Sequence, residues 1–194
     1  MIKIEIETID IQINGKTVSA LLLNQSDIGI ENSVFPDTQI NLYGDNKALF
    51  ILGSLFNLIQ KETNRIIYLL RSSDEDYDFV FFHGRSNPLS FRDLFEIRRQ
   101  AFKLMKAKRY SLETSAETAT DRLNEYWKLK ELYSIRSEGQ LISMSCSLLG
   151  LRLAEVICNS LVESNEGHTH FDDFSTKDSL ELILRNKDTD LIFQ

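Results

Sequence analysis

The chain is short of the residues that usually announce a chemistry. Its 194 residues include two cysteines, two prolines, eight glycines, three histidines and one tryptophan. Two cysteines exclude a disulfide scaffold and a cysteine-built zinc site. Cys146 and Cys158 fall in an apolar stretch that reads as one helix, where their separation is roughly 18 Å, too far for a bond. They are expected as reduced core residues in a reducing compartment. The low proline and glycine content excludes a disordered or loop-rich chain. Gly44 and Gly53 stand isolated, so there is no glycine-rich phosphate loop, and no Gly-x-Ser-x-Gly elbow is present.

Long hydrophobic runs are also missing. The most apolar windows, 48–58 and 141–161, are interrupted by Gly53, Ser54, Arg152 and Glu155, and neither suits a bilayer span. The N-terminus alternates Ile2, Ile4 and Ile6 with Lys3, Glu5 and Glu7, unlike the continuous apolar core of a signal peptide. A soluble, cytoplasmic protein without a membrane partner is expected. Positive charge is the minority sign, with 22 Lys and Arg against 29 Asp and Glu and a net charge of −7. Such a field disfavours nucleic acid and suits a basic protein partner.

What is present is core material: 42% hydrophobic residues, among them twelve Phe and six Tyr. The N-terminal alternation reads as a half-buried strand. Its phase slips where Ile9, Ile11 and Ile13 take over, so a bulge or kink is expected near 7–9. Asn14-Gly15 signals a hairpin, with a return strand over 16–23. Residues 24–37 read as a loop and 38–43 as a short strand. Asp45 and Asn46 offer a cap for a helix from Asn46 to Lys61. Residues 65–71 and 77–83 form a second hairpin around the acidic segment 72–76.

Ser90 and Asp93 resemble a capping box that opens a helix carrying Phe91, Leu94, Phe95, Phe102 and Met105. Further helices are expected over 114–135 and 140–162. Strands then return over Ser179–Leu184 and 190–193. The chain reads as one α+β domain, 1–194, with a β-rich region over 1–84, a helical block over 85–163 and returning strands over 164–194. The terminal strands would join one mixed or antiparallel sheet, with the helical block packed on one face.

Four groups are candidates for function. His168, His170 and Asp172 alternate, so on a strand they share a face. Two imidazoles and a carboxylate suit a divalent transition metal; the bland alternatives are strand-edge polarity or partner contact. Asp74, Glu75 and Asp76, with Asp78, read as a solvated turn or as an acidic surface for a basic partner. Arg98, Arg99, Lys103, Lys106, Lys108 and Arg109 lie toward a helix C-terminus, where they offset the macrodipole or form a patch for an acidic partner or a nucleic-acid backbone. Tyr110, Tyr126, Trp127 and Tyr133 are core residues or, if exposed, interface anchors.

The tail His168-Thr169-His170-Phe171-Asp172-Asp173, followed by Ser179-Leu180-Glu181-Leu182-Ile183-Leu184, resembles the ends of small bacterial immunity-type proteins. Some of those carry a His-x-His-x-Asp strand and then a Ser-x-Glu-Leu-Ile strand. The resemblance covers the tail only, and the helical block has no counterpart. It implies a cytoplasmic protein that neutralises a toxin by binding. The expectation is a non-enzymatic protein-binding module, an immunity or antitoxin protein acting by steric occlusion. Asp74, Glu75, Asp76, Asp172 and Asp173 would meet the partner. The alternatives are a metal-dependent hydrolase using His168, His170 and Asp172, and a structural subunit of a larger complex, including a homo-oligomer. No cofactor other than that divalent metal is implied.

Overall fold

In the computed structural model, residues 2–35, 39–104, 106–112, 132–164, 167–170 and 179–185 are described. The alternating N-terminus forms β1 (Ile2–Ile13), which turns through Asn14 and Gly15 into β2 (Lys16–Asn24). Both turn residues have positive φ, 51° and 77°, the conformation that a two-residue hairpin loop needs and that Asn-Gly adopts at low cost. A single turn, α1 (Gln25–Ile28), leads to β3 (Ile30–Val34) and β4 (Gln39–Gly44). Then come α2 (Asn46–Lys61), β5 (Arg65–Leu70), β6 (Asp78–His83) and α3 (Phe91–Leu104). The chain continues with β7 (Lys106–Leu112), β8 (Tyr133–Glu138), β9 (Leu141–Cys146) and α4 (Leu148–Ser164). The tail contributes β10 (His168–His170) and β11 (Ser179–Leu184).

The fold is α+β, as the sequence indicates, but the strands form two sheets. A seven-stranded sheet runs β7-β1-β2-β5-β6-β9-β8, and a four-stranded sheet runs β10-β11-β4-β3. Both are mixed: β2–β5, β6–β9 and β11–β4 are parallel, and the other pairs antiparallel. The returning strand β11 therefore joins β4, not the N-terminal hairpin.

Helices cover both faces of the large sheet rather than one. Ile67, Leu69, Phe79 and Phe81 share a core with α2, α4 and the inner residues Ile30, Ile40, Leu42, Leu180, Leu182 and Leu184 of the small sheet. On the opposite face, Ile66, Tyr68, Val80 and Phe82 pack with Leu94, Ile97 and Ala101 of α3. Within this second layer Arg98 of α3 is ion-paired with the buried Asp78, to whose carboxylate the Tyr68 hydroxyl also donates at 3.4 Å. Burial, and then the Asp78 charge, push the Tyr68 phenol far above its ordinary value.

Local chemistry explains the helix starts. The Asp45 carboxylate accepts from the Ala48 N–H at 2.8 Å and caps α2. Asp93 and Ser90 make the expected reciprocal box, with Ser90 N–H donating to Asp93 at 2.8 Å and Asp93 N–H to the Ser90 hydroxyl at 3.3 Å. Ser147 accepts from the Gly150 N–H at 3.0 Å and opens α4. Gly150 lies against the start of β8: a Cβ there would come within 2.2 Å of the Leu132 carbonyl oxygen.

Several expectations are corrected. The phase slip in β1 is a change of face without a bulge. Its register runs unbroken along β7 from Ile2 to Thr8 and along β2 from Glu7 to Ile13. Ile4 and Ile6 enter the first core, and Ile9, Ile11 and Ile13 the second. Alternate residues face opposite ways, and α3 covers only the later stretch of this strand's second face. Residues 24–37 hold α1 and β3 rather than a plain loop. The block 85–163 is not wholly helical, because β7, β8 and β9 lie within it. Cys146 is on β9 and Cys158 on α4, both unbonded and buried. Of the helix expected over 114–135, residues 114–131 lie outside the described residues and 133–135 belong to β8 instead; the strand expected over 190–193 also lies outside them.

Candidate functional site

The outer face of the small sheet gathers the polar side chains that the core excludes. Register places Glu31 and Ser33 of β3 beside Tyr43 and Asn41 of β4. Asn41 and Tyr43 lie beside Glu181 and Ile183 of β11, which face His170 and His168 of β10. Alternation sends all of these outward because Ile40, Leu42, Leu180 and Leu182 point into the core.

These side chains bind one another in sequence across the sheet. The Gln39 amide donates to Glu181 Oε2 at 2.9 Å and to Asn41 Oδ1 at 3.1 Å. Asn41 donates to the Tyr43 hydroxyl at 2.9 Å, which lies 3.3 Å from the Ser33 hydroxyl. The Arg185 guanidinium sits 3.7 Å above the Tyr43 ring and donates to Glu31 at 2.9 Å. The Gln39 and Arg185 side chains at the two ends of this array are thereby held in place.

At the β10 end, His168 Nε2 and His170 Nε2 each lie 3.7 Å from Glu181 Oε1. The two rings stand nearly perpendicular, at 87°, with centroids 5.0 Å apart. One ligand atom from each of the three residues lies within 4.8 Å of the others. The imidazoles are about half exposed, whereas the Glu181 side chain is 13% exposed. Asp172, expected as the third member, lies outside the described residues, as does Asp173. The structure instead brings Glu181 to the histidines. Sequence adjacency could not reveal this, because the pairing of His170 with Glu181 is a matter of strand register. His83 is remote from this set: it sits buried on β6 of the other sheet, with Nδ1 2.7 Å from the Ser86 hydroxyl.

At the β3 end, an open concavity of about 620 Å³ is lined by Glu31, Asn32, Tyr43, Ser72, Asp76 and Arg185 among others. The acidic β5–β6 loop contributes to its wall. A buried amide pair fixes that loop: Gln25 donates to the Tyr77 carbonyl at 2.7 Å, and Asn32 accepts from the Tyr77 N–H at 3.0 Å. Asn32 also donates to Gln25 at 2.8 Å. Both amides are almost wholly buried, so a change at either would leave unpaired groups inside. Asp74 and Glu75 are exposed, while Asp76 accepts from the Ser73 N–H at 3.0 Å and shapes the turn. Asp78, read from sequence with this solvated turn, is instead buried at the start of β6.

The basic run divides. Arg98 serves the buried pair with Asp78, and Arg99 is held by Glu96 through bonds of 2.9 and 2.7 Å. Lys106, Lys108 and Arg109 lie on β7, so no common helical face unites the run. Tyr133 is buried and reads as core; Tyr126 and Trp127 lie outside the described residues. Burial pushes the Cys146 and Cys158 thiols well up, which makes both poor nucleophiles.

The fold and the site define an α+β protein whose second sheet carries a polar outer face. Comparison with protein-family models, with curated proteins and with solved structures finds no match. No helix among the described residues is long and apolar enough to cross a membrane.

Proposed function

We propose that this protein is a non-enzymatic protein-binding module. In this reading the outer face of its small sheet, together with the acidic β5–β6 loop, receives a basic segment of a partner. The observation that carries the reading is the arrangement around Tyr43. Its hydroxyl is held by Asn41, its ring is covered by Arg185, and it borders a concavity walled by Glu31 and Asp76. Tyr and Arg are the residue types that most often dominate interface energetics, and their fixed positions lower the ordering cost of association. A lysine or arginine side chain entering that concavity would meet two carboxylates.

The exposed Asp74 and Glu75 beside it would steer a basic partner, and the net charge of −7 adds to the same field. The immunity-type resemblance of the tail supplies a role of the same kind, occlusion of a partner's working surface. Asp173 and Asp172 of the sequence-based set stay with this proposal as additional acidic groups.

The test is kinetic. A partner recovered by affinity capture from the native host is measured against the wild type, a double Asp74→Lys/Glu75→Lys variant and Tyr43→Ala. Charge reversal is expected to slow association about tenfold at low salt, with a smaller effect at high salt. Tyr43→Ala is expected to shorten the lifetime of the complex. A partner whose association and dissociation are untouched by both variants would remove the proposal.

A further inference from the structure

We propose that His168, His170 and Glu181 form a binding site for one divalent transition-metal ion of the zinc type. The site goes beyond the partner-binding reading and stands without it.

The donor set comes first. Two imidazoles with one carboxylate suit Zn²⁺, Co²⁺ or Ni²⁺, whereas Ca²⁺ and Mg²⁺ favour sites built of oxygen alone. The geometry is close to what such an ion requires. Bonds of about 2.0–2.1 Å at tetrahedral angles place ligand atoms roughly 3.4 Å apart. Glu181 Oε1 is already 3.7 Å from both Nε2 atoms. The widest separation in the set is within 4.8 Å, so a small rotation of one half-exposed imidazole closes it.

The third argument is orientation. Glu181 is not a freely rotating surface carboxylate: Gln39 holds Oε2 at 2.9 Å, which leaves Oε1 turned toward the two rings. A hydrogen bond of this kind behind a ligand is the usual support of a metal site. Strand register supplies the rest, since His170 lies directly across from Glu181, and His168 one alternation away on the same face.

The competing account is an exposed histidine–carboxylate contact. Such contacts contribute little in water. They are also not hydrogen bonds, because each Nε2 lies 3.7 Å from Glu181 Oε1, and the two rings meet only edge to face with centroids 5.0 Å apart. A shared cation would give both rings and the Glu181 carboxylate a common partner. Three protein ligands on a half-exposed strand leave a coordination position facing solvent, open to water or to a further ligand.

The experiment uses the full chain, freed of any purification tag and stripped with chelator. Zn²⁺ is titrated by calorimetry and Co²⁺ by visible absorption. The expected result is one ion per chain and a Co²⁺ ligand-field spectrum. His170→Ala and Glu181→Gln are each expected to weaken binding at least tenfold, and Gln39→Ala to weaken it less. Asp74→Asn, on the acidic loop, should bind as the wild type does. Circular dichroism shows whether each variant is folded; all the ligand positions lie on the outer face, away from the core. Absence of a Co²⁺ spectrum, or wild-type affinity in both ligand variants, overturns the assignment. Neither outcome bears on the partner reading, which the Asp74→Lys/Glu75→Lys variant tests through a separate group of residues.

Discussion

In the large sheet, β5 and β6 are enclosed on both sides. Ile66, Tyr68, Val80 and Phe82 lie under α3, and Ile67, Leu69, Phe79 and Phe81 lie under α2 and α4. In the small sheet, Leu180, Leu182, Ile40 and Leu42 are enclosed, while Glu181, Gln39, Tyr43 and the two histidines face outward. At β5 and β6 the first sheet is covered on both faces. The second offers an ordered polar surface backed by the same core, so its side chains are held to the scaffold's precision. The difference separates the residues that keep the fold from those free to recognise something.

Four substitutions would sharpen or break this contrast. The largest effect is expected in the enclosed sheet. Phe81 is fully buried, with its ring centroid 4.4 Å from that of Phe56. Phe81→Ala should cost about 4 kcal/mol through lost burial and the cavity left behind, measured by urea unfolding. On the polar outer face of the small sheet, His170→Ala should stay within about 0.5 kcal/mol of the wild type while losing metal affinity. Equal destabilisation by the two would show that the small sheet belongs to the supporting core as fully as the large one.

An intermediate effect is expected where α4 meets β8. Gly150→Ala adds helix propensity worth about 1 kcal/mol. The added Cβ would come within 2.2 Å of the Leu132 carbonyl oxygen, a backbone atom that cannot swing aside. The overpacking cost of roughly 1–3 kcal/mol should outweigh the gain, so the variant is expected to unfold at lower urea. A more stable variant would mean that β8 yields readily against this helix.

A smaller effect belongs to the α3 cap. Burial acts to raise the Asp93 carboxyl, but hydrogen bonds from the Ser90 backbone and hydroxyl, then from Asn14, hold it below its ordinary value. A carboxyl lowered on folding stabilises the native state above its unfolded value, about 3.9. That contribution disappears as pH falls through the native value. Asp93→Asn should therefore cost up to about 1 kcal/mol at neutral pH, with the deficit shrinking in acid. A deficit that stays constant with pH would show that the charge of Asp93 is irrelevant to the cap.

Much of the supporting framework was legible in the chain. Asn14-Gly15, the Asp45 cap with the stripe after it, and the Ser90–Asp93 box each state a local geometry in local chemistry. The strands β8 and β9 were not legible. Ser134 and Arg136 against Leu141, Ile142 and Met144 give no clean alternation, since β9 is almost entirely buried. An apolar run that leads straight into a true helix reads as one helix. Gly139, with φ of 58°, was the available sign of a turn between them. At the candidate site, the two histidines and their shared face followed from spacing alone. The carboxylate beside them did not, nor did the buried Gln25–Asn32 pair that fixes the acidic loop.

The sequence by itself determined part of the local structure: the N-terminal alternation and hairpin, where α2 and α3 begin, and that charge is mostly negative and cysteine chemistry minimal. Those properties depend on neighbours a few residues apart. Only the tertiary structure decided that β11 joins β4, that the outer face of the small sheet gathers the polar side chains, and that Glu181 meets the histidines. Backbone pairing and burial bring residues together by register and packing across long stretches of chain, and neither is written at any single position.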